Sequence, residues 1–283
     1  MRFKAFICIF YVTNGICLLT AQQYATAWNV LSDAALNAKS PDHRKEAVAA
    51  LGAIGPAPDV VKLLEQILAK DGDTMVRQTA AEALGDMKAT EAIPALQAAL
   101  DDESGEVAFS AAKALWDLGD AAGKRTFEEI MTGERKNSKG FVGGTMDDAK
   151  RTLRDPKKLA YVGVKDASGV LLGPMSMGIG VAHDALKGKD TSATGRALAV
   201  EYLAKDCDAR GVQLFEWTLN EDLHWIVKAA AARGLGKCGN EADIPLLQKY
   251  LEDSHEPLKY QAAAAIVRLG LKQAPAQPSA SLH

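Results

Sequence analysis

The stretch that most constrains the fold runs from Met75 to Leu100, MVRQTAAEALGDMKATEAIPALQAAL. Val76, Ala80, Ala81, Ala83, Leu84 and Met87 fall at helical spacing and form one apolar stripe. Gly85 lies near the end of this first helix, and Lys88-Ala89-Thr90 makes a corner. A second helix is expected to start around Glu91, where an acid suits the positive end of the helix dipole. Pro94 falls in its first turn, where a missing N–H costs nothing. Ile93, Leu96 and Leu100 then face back toward the first helix. So short a helix pair cannot bury both faces and needs copies of itself on either side.

The chain supplies those copies. Ala47-Val-Ala-Ala-Leu51-Gly52-Ala-Ile54 matches Ala80-Ala-Glu-Ala-Leu84-Gly85-Asp-Met87. The same pattern returns at Ala111 to Leu118, Ala199 to Ala204, Ala231 to Cys238 and Ala262 to Ile266. The second helices agree as well: Ile93-Pro94 and Leu96 correspond to Ile244-Pro245 and Leu247, and to Val212 and Phe215. Trp116 stands where Gly52 and Gly85 stand in the earlier copies, so the third corner is expected to differ.

This pattern resembles the HEAT repeat, in the short form typical of phycobilisome-lyase-like HEAT proteins. The resemblance rests on Val76-Arg77, Ala80-Ala81, Ala83-Leu84-Gly85 and Ile93-Pro94-Ala95-Leu96, and again on Trp225 to Lys228, Ala231-Ala232 and Leu235-Gly236. It covers roughly 28–131 and 190–272. It implies an all-α, right-handed α-solenoid of stacked antiparallel helix pairs, with first helices convex and second helices concave. The domain reading is a signal over 1–21, N-terminal repeats over 22–131, an irregular insertion or degenerate repeat over 132–189, C-terminal repeats over 190–272 and a disordered tail over 273–283. A helix from Tyr24 to Ala38 is expected to seal the first stack through Trp28 and Leu31, with Ser40 or Asp42 capping the next.

Residues 1–21 place Arg2 and Lys4 before an apolar body and read as a secretory signal, with a retained anchor or a buried helix as the alternatives. The protein is therefore expected to be periplasmic or secreted, without a membrane span after cleavage. Cleavage would leave Cys207 and Cys238, which the repeat alignment puts near corners of adjacent units. An exported protein permits a disulfide. Stacked helix axes lie about 8–10 Å apart, beyond disulfide reach unless the corners lean together, which favours free thiols.

The central region breaks the period. Gly133 to Gly144 reads as a mobile loop, Asp147 to Arg154 and Lys157 to Lys165 as short helices, and Met175 to Leu186 as a glycine-weakened helix. Its glycines suit close packing, or else a Met-lined contact surface that includes Met175 and Met177.

Chemistry is sparse. No HExxH or CxxC occurs, and no two of the five histidines have metal spacing on one helix face. One enzyme family built on HEAT units, deoxyhypusine hydroxylase, takes iron ligands from His-Glu pairs after the Val-Arg position. The corresponding pairs here are Lys45-Glu46, Gln78-Thr79, Phe109-Ser110, Ala229-Ala230 and Tyr260-Gln261. No cofactor or metal is expected. The formal charge of −3, without a long basic run, argues against a nucleic-acid binder. The leading expectation is a non-enzymatic scaffold, monomeric and bound to another protein. The alternative is an enzyme or pigment-transfer factor using 132–189. The expected partner face holds Trp217, Glu216, Gln97 and Lys249 on second helices. Trp217 serves there as an anchor, or else packs near His224 or Trp225.

Overall fold

The computed structural model describes residues 22–132, 134 and 192–272. Among them every regular element is helical and there is no strand. The readings made for 1–21, for the loop, helices and Met-lined surface of 133–189, and for 273–283 lie outside the described residues. The described chain forms two compact units, one of 22–32 with 192–272, the other of 33–132. Residues 22–32, grouped from sequence with the N-terminal repeats, thus cluster with the C-terminal ones.

In the unit of 33–132, α1 (22–37) ends before α2 (Pro41–Gly52), α3 (Pro58–Lys70), α4 (Thr74–Asp86), α5 (Ile93–Ala98), α6 (Gly105–Asp117) and α7 (Ala121–Thr132). The first helices α2, α4 and α6 stack on one another, and each second helix lies against the first helix that follows or precedes it. The second helix of the middle repeat is broken into a 3-10 turn over Thr90–Ala92, α5, and a 3-10 turn over Ala99–Asp101. Pro94 sits in the first turn of α5 as expected.

Small residues set the spacing of the stack. A Cβ placed on Gly85 would lie 2.7 Å from the Ala114 Cβ of the next first helix. Leu51, Leu84 and Leu115, equivalent in the three copies, are all fully buried beside alanines. Ser40 stands at the N-cap of α2 without a side-chain cap bond, whereas Asp73 accepts from Met75 and Val76 N–H and caps α4.

Each corner turns through a left-handed residue at one equivalent position: Gly55 at φ 105°, Lys88 at 59° and Gly119 at 78°. The third corner therefore does not differ, against the sequence expectation. The N–H groups of Lys88 and Ala89 donate to Gly85 and Leu84, and those of Gly119 and Asp120 donate likewise to Trp116 and Leu115. Trp116 leaves the corner intact because its position faces along the stack, where Gly85 meets α6, rather than into the turn.

Arginine and aspartate tie the repeats together. Arg44 donates bidentately to Asp71 at 2.8 and 3.0 Å, and its Nη1 to the Ala38 carbonyl at 2.9 Å. Arg77 repeats this one unit on, donating to Asp102 at 2.9 and 2.8 Å and to the Asp71 carbonyl at 2.9 Å. Asp71 and Asp102 also accept the backbone N–H two residues on, which opens the next first helix. Their carboxylates hold both guanidinium groups above the ordinary arginine pKa, chiefly by hydrogen bonding.

The unit of 22–32 and 192–272 repeats this plan with α8 (Ser192–Asp206), α9 (Ala209–Glu221), α10 (Trp225–Cys238), α11 (Ile244–Gln248) and α12 (Glu256–Leu271). First helices α8, α10 and α12 stack. Gly236 repeats the role of Gly85, its would-be Cβ 2.8 Å from the Ala265 Cα. Tyr24 packs against Gly270, and Gln23 donates to the Gln248 amide oxygen at 3.1 Å. Residues 22–32 thus cap the last repeat.

Cys207 and Cys238 form a disulfide, against the expectation of free thiols. The corners do lean together: Cys207 occupies the left-handed corner position at φ 52°, which brings the two Cα atoms to 4.9 Å. The interaxial spacing that argued against a bridge holds mid-helix and not at this turn.

Leu84→Ala and Leu235→Ala are each expected to lower unfolding free energy by about 2–5 kcal/mol, since both side chains are fully buried between helices. Asp102→Ala, which leaves the buried Arg77 without its bidentate partner, is expected to cost about 3–5 kcal/mol. Urea unfolding of the three variants beside the parent checks both figures.

Candidate functional site

The candidate site is the outer face of α9. Asp208 caps the helix by accepting from Gly211 N–H at 2.6 Å. Val212, Phe215 and Leu219 fall at helical spacing, and Phe215 and Leu219 are buried. Phe215 lies on α10, its ring atoms 3.0 Å from where a Cβ on Gly234 would sit. Trp217 is off this stripe and points away from the core, 59% exposed. Leu214, three residues earlier on the same face, is also exposed. Of the two sequence alternatives for Trp217, the packed one does not match this exposure.

Glu216 and Lys249 lie in the same unit as Trp217. Lys249 is exposed at the C-cap of α11. Glu216 is half-buried, and its carboxyl meets that of Asp243. Asp243 is buried and accepts from Asn240 N–H at 2.8 Å in a capping box. The Glu216 pKa is raised, first by the hydrogen bond to Asp243, then by burial and by the neighbouring negative charge. Glu216 is therefore engaged with Asp243 of its own unit.

Gln97 belongs to the other unit. It is exposed and donates to Asp120 at 3.2 Å. Met175 and Met177 lie outside the described residues, as does the insertion invoked for the enzymatic alternative. Sequence reasoning missed Leu214, which belongs to no repeat motif. It also missed an aromatic cluster in the 33–132 unit. There Phe109 and Phe127 meet edge to face at 5.3 Å, and Trp116, 53% exposed, lies 6.2 Å from Phe127. The signal for this cluster was present, as Phe109 and Trp116 replace Gln78 and Gly85 at equivalent positions.

An open cleft of about 420 Å³ lies between Leu36, Asn37, Gln66, Ile67 and Lys70. Arg44 lines it too, but the guanidinium is already held by Asp71 and the Ala38 carbonyl. Among the described residues no three His, Cys, Asp or Glu side chains converge to hold a metal ion.

The Glu216–Asp243 pair sets a pH dependence. A glutamate whose folded-state pKa is raised binds its proton more tightly in the folded chain. The stability it contributes is full below the ordinary glutamate range and falls as pH rises through the elevated value. Glu216→Gln, which keeps the hydrogen bond without the charge, is expected to melt near the parent at about pH 4 and above it at about pH 7. Scanning calorimetry across that range checks the sign.

HEAT repeats match the chain at residues 28–116, 61–136 and 182–267. No curated protein matches it. A structure of human deoxyhypusine hydroxylase in complex with glycerol is similar at 18% identity, over 87% of this chain and 97% of that one, with a TM-score of 0.33. A likeness of that degree informs neither activity nor site. The helix pairs, the alanine-lined stacking and the matched segments agree, and the chain belongs to the HEAT-repeat family.

Proposed function

We propose that this protein is a non-enzymatic scaffold, exported from the cytoplasm, which binds another protein through the outer face of α9. The observation that carries the reading is the exposure of Trp217 beside Leu214 on a helix whose opposite side is packed. Large aromatics dominate contact energies once a partner desolvates them, and an aliphatic neighbour widens the apolar contact. Lys249, at the equivalent position of the next second helix, supplies a charged rim. The near-neutral composition, at a formal charge of −3, suits a protein partner better than a nucleic acid.

Export is supported by two features of different kind. Residues 1–21 have the basic start and apolar body of a secretory signal. The Cys207–Cys238 disulfide is of the sort that an oxidising compartment sustains and a reducing cytosol does not. No described helix is long and apolar enough to cross a membrane.

The test places a photo-crosslinking residue at position 217 in the full-length protein within its native cells, identifies the adduct and then measures its affinity. Trp217→Ala is expected to leave Tm nearly unchanged and to weaken binding about tenfold or more, roughly 1.4 kcal/mol. An unchanged affinity with unchanged Tm would remove α9 as the site.

A further inference from the structure

The corner joining α8 to α9 differs in kind from its counterpart in the other unit. At the middle corner of the 33–132 unit the left-handed residue is Lys88, which donates to the Asp117 carbonyl at the end of the next first helix at 2.9 Å. At the equivalent corner of the 192–272 unit the residue is Cys207, and it is bonded to Cys238 at the end of the next first helix. The fold therefore closes this junction without sulfur in one unit and covalently in the other. The helix that this bridge ties down, α8, buries little bulk. The buried side chains of α8 are Ala193, Ala197, Val200 and Ala204, all small. Leu203, whose counterparts Leu51, Leu84, Leu115 and Leu235 are fully buried, is 40% exposed. By contrast α12 buries Leu258, Tyr260, Ile266, Val267 and Leu269.

We propose that the Cys207–Cys238 bridge is a redox-sensitive clasp that holds α8 on α10, and that its reduction frees α8 while the rest of the unit stays packed. Arg196 pairs with Asp222 at 2.9 Å and Glu201 with Arg233 at 3.0 Å, the first of these on a part-exposed arginine. Alanine burial adds little apolar area, because each side chain is one methyl group. The next second helix does not depend on α8 in this way, since Phe215 and Leu219 anchor α9.

Cys207 is exposed and Cys238 half-buried, so an incoming thiolate meets Cys207 first. The reductant is a dithiol. Its thiolate attacks the Cys207 sulfur, the bond between the two cysteines breaks, and Cys238 leaves as a thiolate that takes up a proton. The second thiol of the reductant, deprotonated, then displaces Cys207. Two electrons pass to the protein, which ends with two thiols, and the reductant ends as a disulfide. The clasp gains from a loop closed over 31 residues of sequence, a constraint that reduction removes from the open state.

The experiment is hydrogen exchange read by mass spectrometry on the full chain, with and without dithiothreitol, beside the Cys207→Ser/Cys238→Ser double variant without reductant. The expected result is that amides of 193–206 exchange about tenfold faster or more in the reduced parent and in the variant, while those of 225–238 and 258–269 keep their protection. Unchanged protection over 193–206 in reduced parent overturns the proposal. So does an equal loss across 192–272, which would make the bridge a prop of the whole unit. Should the double variant fail to fold, the reduced parent alone decides. The outcome does not depend on whether α9 binds a partner.

Discussion

The contact on which the rest of the stack depends is the guanidinium–carboxylate pair repeated from one helix pair to the next. Asp71 takes Arg44 through its carboxylate and gives Arg77 its backbone carbonyl. Arg77 then reaches Asp102, so one continuous chain of charge-assisted hydrogen bonds runs from the Ala38 carbonyl to the corner before α6. Each aspartate also fixes the first N–H groups of the following helix. The direction in which each new first helix departs is thereby set by the arginine of the one before. Such pairs are costly to desolvate, and their contribution is to register more than to net stability.

The second unit keeps this logic and then ends it. Arg196 meets Asp222, which accepts from His224 N–H, as in the first unit. The Asp222 pKa is lowered, as burial, the largest influence, is outweighed by the Arg196 and His224 hydrogen bonds together with their charges. One repeat later the arginine position holds Lys228, which lies near the Tyr250 hydroxyl instead of a carboxylate. Asp253, the next corner aspartate, accepts from the ring and backbone nitrogens of its neighbour His255, which stacks on Trp225 at 5.4 Å. A lysine lacks the planar fork that spans a carboxylate and a carbonyl at once, so the chain of bonds stops at α10, one first helix before α12. Residues 22–32 cover the last helix in its place, through Tyr24 on Gly270.

Repeat architecture was legible in the sequence because it is written by periodicity and by small residues, both local. Leu51, Leu84, Leu115 and Leu235 were found as one buried row from spacing alone. Leu203, aligned with them, is exposed, since spacing gives a residue's face and not what covers that face. The Cys207–Cys238 bond escaped because it depends on a backbone conformation at one corner, which a helix-packing distance cannot report. The capping of the last repeat by 22–32 escaped because it joins segments more than two hundred residues apart in sequence, where Gln23 meets Gln248. Trp217 lies off the core row as its spacing indicates, and its neighbour Glu216, expected on the same face, meets Asp243 of the next repeat, a pairing that spacing within one helix does not report.

The tight spacing of first helices bears on where large side chains can go. Gly85 against Ala114 and Gly236 against Ala265 leave no room for more than a methyl group between stacked first helices. Bulky residues must therefore sit in the seam between first and second helices, as Phe215 does, or outside the stack altogether. A seam position packs against a neighbour on the same unit and needs no further explanation. An outer position does, because exposed indole surface forgoes roughly 25 cal/mol for each Å² that burial would have removed from water. The equivalent outer positions of the other second helices hold Ala98 and Lys249, which lose little or nothing by exposure. Packing thus keeps bulk out of the Gly85 and Gly236 contacts and leaves Trp217 exposed on the outside of its own unit, which is the observation that the proposed partner contact rests on.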